Sequence, residues 1–148
     1  MTRSASRSRS CAARNESSEA AALKPLVDTD VWIDSLRGRQ TAHKFVRALP
    51  DETAISAVSV GELYAGVRDG PERDALATLI ASLDVVDITA RVAEIGGLIR
   101  RDSGKSHSVG LNDALIAATA IEHGLRLCTL NVKHYPAVPP RQLRRAYI

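Results

Sequence analysis

Residues 112–130 read NDALIAATAIEHGLRLCTL and contain a complete helix-to-strand unit. Residues 112–123 predict a strongly apolar helix, Gly124 ends that helix, and residues 126–130 predict a buried strand. A helix that leads directly into an apolar strand is typical of a parallel sheet whose two faces are covered by helices. This stretch therefore predicts the fold class.

The same alternation extends outward from this unit towards the N-terminus. Further strands are predicted at residues 25–27, 54–58 and 84–88. Helices are predicted at residues 29–36, 41–49, 59–68, 72–82 and 89–101, followed by a loop over residues 103–110. The C-terminal segment RQLRRAYI adds a candidate fifth strand. We expect an α/β protein, namely a three-layer α/β/α sandwich around a central parallel sheet of four to five strands.

Residues 1–22 differ in composition from the rest of the chain. They are rich in Ser, Arg and Ala and contain no Val, Ile or Leu. A segment of this kind cannot bury enough apolar surface to offset the entropy cost of ordering. We expect a disordered Ser/Arg-rich extension over residues 1–22 and one folded domain over residues 23–148.

Charge, cysteine content and hydropathy limit the functional classes. Much of the formal charge of +3 comes from the arginines of residues 1–22, so the total charge does not identify a partner. Cys11 and Cys128 form neither a disulfide framework nor a C-x-x-C motif. Because no stretch approaches 18 apolar residues and no hydrophobic signal core is present, we expect a cytoplasmic protein without a membrane span.

Polar side chains follow the predicted strands at their carboxyl ends, where sites form in open parallel sheets. Two acids come after the first strand, one after the second and one at the helix that leads into the fourth, while a threonine and an amide follow the fourth. These candidate site residues are Asp28, Asp30, Glu62, Asp113, Thr129 and Asn131.

Each acid also has an explanation that involves helix structure alone. Asp28 and Asp30 match N-cap and first-turn positions, and Asp113 lies in a first turn. Ser59-x-x-Glu62 has the spacing of a capping box. The convergence of all four at one sheet edge is costly without a cation, because close carboxylates raise one another's pKa. A hard divalent ion, Mg²⁺ or Mn²⁺, takes oxygen ligands of this kind, whereas the spacing of Cys and His residues does not fit zinc.

Three segments resemble the conserved motifs of PIN domains: LVDTDVWID, SAVSVGELYAGV and GLNDALIAATAIEHGLRLCTLNVKHYP. The similarity covers about residues 25–138, and within the family it is strongest to VapC toxins. The resemblance implies a PIN-like ribonuclease domain and the toxin component of a type II toxin–antitoxin system. It also implies an Mg²⁺- or Mn²⁺-dependent endoribonuclease that hydrolyses RNA phosphodiester bonds, forms a homodimer and binds a cognate antitoxin protein.

Carried over by position, the catalytic and metal-binding acids of the family match Asp28, Glu62 and Asp113. The fourth acidic position falls at or near Asn131, where an amide accepts a hydrogen bond but adds no charge. Thr129 is placed to orient a water or phosphate oxygen. Asp30 stands where the family commonly has Ser or Asn, and it supplies some of the missing charge. This set implies one tightly bound ion, with a second recruited by substrate.

Two alternatives are compatible with parts of the sequence. Asp28-x-Asp30 after a strand also matches the nucleophile motif of haloacid-dehalogenase-like phosphatases, although Trp32 stands where that motif has Thr and no acidic pair follows Thr129. A catalytically weak PIN-like module that binds RNA or a protein partner is consistent with Asn131 at the fourth position. Mn²⁺-dependent RNA cleavage that is lost in Asp28→Asn separates an enzyme from such a module.

Overall fold

The computed structural model describes residues 23–107 and 109–148 and contains a five-stranded, wholly parallel sheet. The strands are β1 Pro25–Val27, β2 Ala54–Ser56, β3 Asp84–Val86, β4 Arg126–Thr129 and β5 Leu143–Arg145. Their order across the sheet is β3-β2-β1-β4-β5, so β1 is central. Leu26 of β1 is in register with Ala54 of β2 on one side and with Leu127 of β4 on the other. The predicted parallel sheet is therefore confirmed, including its fifth strand.

Six α-helices and two short 3-10 turns connect the strands within the described residues. The helices are α1 Thr29–Leu36, α2 Gln40–Arg47, α3 Ala57–Ala65, α4 Pro71–Ala81, α5 Ala90–His107 and α6 Leu111–His123. The 3-10 turns are Val132–His134 and Pro140–Gln142. None of the helices in residues 23–107 and 109–148 is both long and apolar enough to cross a membrane.

The core is divided between the two faces of the sheet. Leu26 packs in a cluster with Ile116 and Ala117 of α6, whereas its neighbour Val27 packs in a second cluster with Trp32 of α1. Successive strand residues point to opposite faces of a sheet, so the three central strands β1, β2 and β4 each contribute to both clusters. This arrangement gives the predicted three layers.

The second strand and the helix after it differ from the sequence prediction. The strand ends at Ser56 instead of residue 58, and α3 begins at Ala57 instead of residue 59. The side chain of Ser56 is the N-cap, and its Oγ accepts a hydrogen bond from the main-chain nitrogen of Val58 at 3.1 Å. The predicted capping box of Ser59 and Glu62 is therefore wrong, because both residues lie inside the helix and their side chains are available for tertiary contacts.

The loop predicted over residues 103–110 is also largely helical. α5 continues to His107, six residues beyond its predicted end. A single glycine such as Gly104 costs a helix interior about 1 kcal/mol, and the segment contains no proline to stop it. The expected disordered extension, residues 1–22, lies outside the described residues.

Candidate metal and catalytic site

Asp28 is at the centre of the candidate site, directly after the central strand. Its main-chain nitrogen continues the ladder by donating to the carbonyl oxygen of Cys128 at 2.9 Å. Its carboxylate oxygen Oδ1 accepts a hydrogen bond from the nitrogen of Thr29 at 2.8 Å, so Asp28 does cap α1. The side chain is nevertheless only 5% exposed, and the cap uses one of its two oxygens. Capping and a site role are compatible for this residue.

The other carboxylate oxygen of Asp28 accepts two hydroxyl hydrogen bonds. Thr129 Oγ1 donates to Asp28 Oδ2 at 2.8 Å, and the Tyr135 hydroxyl donates to the same oxygen at 2.7 Å. Burial raises the pKa of Asp28, and these two donors lower it without fully compensating. The nearby charge of Asp113 raises it further. The hydrogen bonds of the site therefore do not fully offset the cost of burying the negative charge of Asp28.

Asp113 reaches the same place from the first turn of α6. Its Oδ1 lies 3.4 Å from the hydroxyl oxygen of Tyr135. A phenol has one hydrogen to donate, and the shorter contact assigns it to Asp28, so the Tyr135 oxygen separates the two carboxylates. On its other side, Asp113 Oδ2 lies 3.4 Å from Nδ1 of His134. The Tyr135 hydroxyl thus lies between two acids from different elements at one edge of the sheet.

Glu62 enters the site through Thr29, which lies beside Asp28. The Thr29 hydroxyl oxygen is 2.8 Å from Oε1 of Glu62 and 2.8 Å from Oγ of Ser59. Because Thr29 has a single hydroxyl hydrogen, that hydrogen is assigned to the Glu62 carboxylate. The hydroxyl of Ser59 then donates to the Thr29 oxygen. Ser59 is fully buried and one helical turn before Glu62. The glutamate side chain is therefore directed towards the first strand end instead of back to its own helix start.

Asp30 and Asn131 are brought together where β1 and β4 end. The Asp30 carboxylate oxygen Oδ2 accepts from the main-chain nitrogen of Leu130 at 3.1 Å and from the amide Nδ2 of Asn131 at 3.3 Å. Thr129 Oγ1 is 3.4 Å from the same oxygen. Burial and then the charge of Asp28 raise the pKa of Asp30 to about 6. The other oxygen, Oδ1, is buried and has no hydrogen-bond partner within residues 23–107 and 109–148.

The oxygen atoms of the acidic edge suit a hard divalent ion. Hard cations take carboxylate and water oxygens, and Mg²⁺ often uses only one or two protein carboxylates. In the described part of the chain, no three His, Cys, Asp or Glu side chains are close enough to form a ready-made cage. The unpartnered Asp30 oxygen and the raised pKa of Asp28 nevertheless show unmet demand for positive charge. The residues fit an ion that keeps several water ligands.

A groove of about 580 Å³ begins beside Glu62 and runs between α1, α3 and α4. Its walls are mainly aliphatic, including Leu63 and Leu76, and two arginines, Arg37 and Arg68, line it. The groove therefore carries both charges, since Glu62 and Glu72 line it together with the two arginines.

The structure brings all six sequence-predicted residues to one edge of the sheet, and it adds three that the sequence prediction missed. These are Thr29, Ser59 and Tyr135, which supply or relay the hydroxyl hydrogens that hold the acids. Thr29 and Ser59 lie inside the predicted motifs, so their positions could have suggested a role. Tyr135 also lies inside a predicted motif, the third, but it follows a 3-10 turn that the sequence pattern does not predict.

The strand order and the acidic edge define a PIN-domain protein, and the PIN domain family model matches residues 26–135. Ribonuclease VapC10 of Mycobacterium tuberculosis H37Rv is 45% identical over 114 residues, which are 75% of this chain and 85% of the relative. Ribonuclease VapC19 of the same strain is 38% identical over 122 residues, or 79% and 96% of the two chains. The chain belongs to the PIN-domain family and, within it, to the VapC ribonucleases.

The fold is also similar to solved structures. A chain of a toxin–antitoxin complex from Klebsiella pneumoniae matches with a TM-score of 0.73 and 27% identity, covering 84% of this chain and 98% of that one. Family membership also removes the basis for the phosphatase alternative, since the Asp28-x-Asp30 pair belongs to a PIN motif.

Proposed function

We propose that this chain is the toxin component of a type II toxin–antitoxin system, an endoribonuclease that hydrolyses RNA phosphodiester bonds. The observation that carries the proposal is the buried carboxylate of Asp28, linked through hydroxyl groups to Asp113 and Asp30 at the carboxyl ends of parallel strands. Relatives that are named ribonucleases at 38–45% identity support the same reaction class. We also propose a cytoplasmic location, where a ribonuclease of this kind meets cellular RNA.

We assign the metal to Mg²⁺ or Mn²⁺, held by Asp28 and Asp113 with Glu62 as a further acidic group. When bound, such an ion supplies Lewis-acid stabilisation of the phosphate oxygens and an acidified water. Tyr135 and Thr129 hold Asp28 in one rotamer by donating to its Oδ2. Thr29 holds Glu62 in the same way, so a proton from an attacking water has a fixed acceptor nearby.

The protein side chains around the acids favour a polyanionic substrate. Arg37 and Arg68 line the groove beside Glu62, where they contact phosphates that flank the scissile bond. Exposed aromatic side chains are scarce in this chain, so we expect phosphate contacts rather than base stacking to supply most of the affinity. RNA binding should therefore weaken steeply as the salt concentration rises.

The enzymatic proposal is tested by cleavage of a labelled RNA by the purified protein in EDTA and after addition of Mn²⁺ or Mg²⁺. We expect cleavage only with metal, and its loss in Asp28→Asn and Asp113→Asn. Asp87→Asn is the matched control, since Asp87 is an exposed acid just beyond the end of β3. Cleavage that is unchanged in Asp28→Asn and Asp113→Asn would contradict the proposed site, and binding without any cleavage would favour the non-cutting module.

The toxin assignment has a separate test. Expression of the chain should arrest growth, and co-expression of the product of an adjacent small gene should relieve the arrest. The same pair should copurify, which identifies the cognate antitoxin. We further propose a homodimer, to be measured by light scattering.

We also propose that residues 23–148 form the PIN-like ribonuclease domain and that residues 1–22 are a Ser/Arg-rich extension that cleavage does not need. Deletion of residues 1–22 should then leave metal-dependent cleavage unchanged.

A further inference from the structure

The carboxylate of Asp30 is held on one side only. Its Oδ2 faces three groups at the end of β4: the Leu130 nitrogen, the Asn131 amide and the Thr129 hydroxyl. Its Oδ1 has almost no solvent-accessible surface and no hydrogen-bond donor within the described residues. A buried, unpartnered acceptor costs about 1–3 kcal/mol, and more when the group is charged. A cation bound on the Oδ1 side would remove that cost.

Asp30 is connected to the rest of the acidic site by a shared hydroxyl. Thr129 Oγ1 lies 2.8 Å from Asp28 Oδ2 and 3.4 Å from Asp30 Oδ2. The hydroxyl has one hydrogen, so it donates to Asp28 over the shorter distance and leaves Asp30 with the weaker contact. The negative charge of Asp28 thus acts directly on Asp30.

Asn131, by comparison, is oriented as a support. It is exposed, its Nδ2 donates to Asp30, and its main-chain nitrogen donates to Thr129 Oγ1 at 3.0 Å. Both of these groups are donors, so neither is available to bind a cation. The amide nitrogen therefore fixes the aspartate, and the amide oxygen adds no negative charge to the site.

We infer that Asp30 is a further metal ligand of the site, binding the divalent ion through Oδ1, and that Asn131 is the residue that positions it. This inference rests on the proposed metal-dependent function. The carboxylate that contacts the end of β4 then comes from Asp30 in the first turn of α1, and not from position 131. The site then has four carboxylates, from Asp28, Asp30, Glu62 and Asp113, although position 131 carries an amide.

Asp30→Asn is a suitable variant because it preserves shape. Its amide oxygen can occupy the Oδ2 position and accept the same hydrogen bonds, while its NH₂ group replaces Oδ1 and cannot bind a cation. We would titrate the full chain with Mn²⁺ alone by isothermal titration calorimetry. We expect Mn²⁺ affinity to fall roughly 10- to 100-fold in Asp30→Asn, and by less than about twofold in Asp87→Asn.

Thermal unfolding in EDTA and in Mn²⁺ separates a ligand from a purely structural residue. If Asp30 binds the ion, Asp30→Asn is at least as stable as the parent protein in EDTA, since the repulsion with Asp28 is removed, and its stabilisation by Mn²⁺ is smaller. Adding Asn131→Asp to Asp30→Asn restores a carboxylate at the β4 end and should recover part of the Mn²⁺ affinity.

Different results would overturn different conclusions. If the parent protein binds Mn²⁺, Asp28→Asn abolishes binding and Asp30→Asn binds as tightly as Asp87→Asn, then Asp30 is not a ligand while the proposed function stands. Lower stability of Asp30→Asn in EDTA together with an unchanged Mn²⁺ response would also reject the inference in favour of a structural role. If the parent protein binds no Mn²⁺, both this inference and the proposed metal dependence fail.

Discussion

Replacement of Tyr135 by phenylalanine removes a single hydroxyl group from the centre of the site. That hydroxyl donates to Asp28 Oδ2 at 2.7 Å, and the two side chains are 2% and 5% exposed. A hydrogen bond to a charged group contributes about 1.5–3 kcal/mol, and the phenylalanine ring keeps the core contacts. Tyr135 is the strongest of the groups that lower the pKa of Asp28, so its loss should raise that pKa further.

The effect should depend on pH in a defined direction. The hydroxyl stabilises the ionised form of Asp28, so the full loss of stability appears above the folded-state pKa and decreases as the pH falls through it. Urea unfolding in EDTA at pH 7.5 and pH 4 measures the two losses. Tyr64→Phe is the control, because Tyr64 is exposed and its hydroxyl removal should change stability by less than about 0.5 kcal/mol.

A double-mutant cycle tests whether the loss acts through Asp28. In an Asp28→Asn background the charged hydrogen bond is absent, so the cost of Tyr135→Phe should fall to about 1 kcal/mol or less. The reasoning would be refuted by an equal loss at both pH values and in both backgrounds, which would indicate a packing role for the hydroxyl.

Three further predictions follow from the described contacts. The free energy of unfolding of the metal-free protein should fall as the pH rises from about 4 to about 6, because the folded state raises the pKa of Asp30 to about 6. The shift corresponds to about 3 kcal/mol, or about 1–2 kcal/mol after solvent screening. Urea unfolding in EDTA should show a flatter dependence on pH in Asp30→Asn. Thr29→Val removes the hydroxyl that holds the glutamate of α3 and should lower the RNA cleavage rate roughly 10- to 100-fold, whereas an unchanged rate would argue against this role. Gly96→Ala places a methyl group 2.7 Å from Cδ2 of Leu115 and should cost about 1–3 kcal/mol, while Gly97→Ala points into open space and should stabilise by about 0.5–1 kcal/mol; equal unfolding midpoints for the two would contradict the α5–α6 packing.

The sequence predicts the sheet and the acidic residues because both depend on local pattern. Asp28 directly follows an apolar strand, and the carboxyl ends of parallel strands necessarily share one edge. The start of α3 was not predictable in the same way. Ser56 and Ser59 are both acceptable N-caps three residues apart, and the choice depends on a tertiary contact, the packing of Ser59 against Thr29.

The hydrogen bond of Tyr135 to Asp28 depends on long-range structure, and the place of Tyr135 in the third motif does not reveal that contact. Tyr135 is separated from Asp28 by 107 positions and reaches it only because a short 3-10 turn, Val132–His134, follows β4. Periodicity does not predict turns of three residues, so the sequence suggests a core aromatic and no more. The end of α5 is not evident from the sequence either, because a single glycine such as Gly104 costs a helix only about 1 kcal/mol and does not have to end it.

The arrangement of hydroxyl groups explains why this edge of the sheet remains ready for a cation. Tyr135 lies between Asp28 and Asp113, and Thr129 lies between Asp28 and Asp30, yet each hydroxyl has only one hydrogen to give. Both hydrogens go to Asp28, where the distances are shortest. Asp28 is thereby held in one orientation, while Asp30 keeps a buried oxygen, Oδ1, that no group in the described residues satisfies. A divalent ion that binds this oxygen would remove the cost of leaving it unpartnered, without any change in the orientation of Asp28.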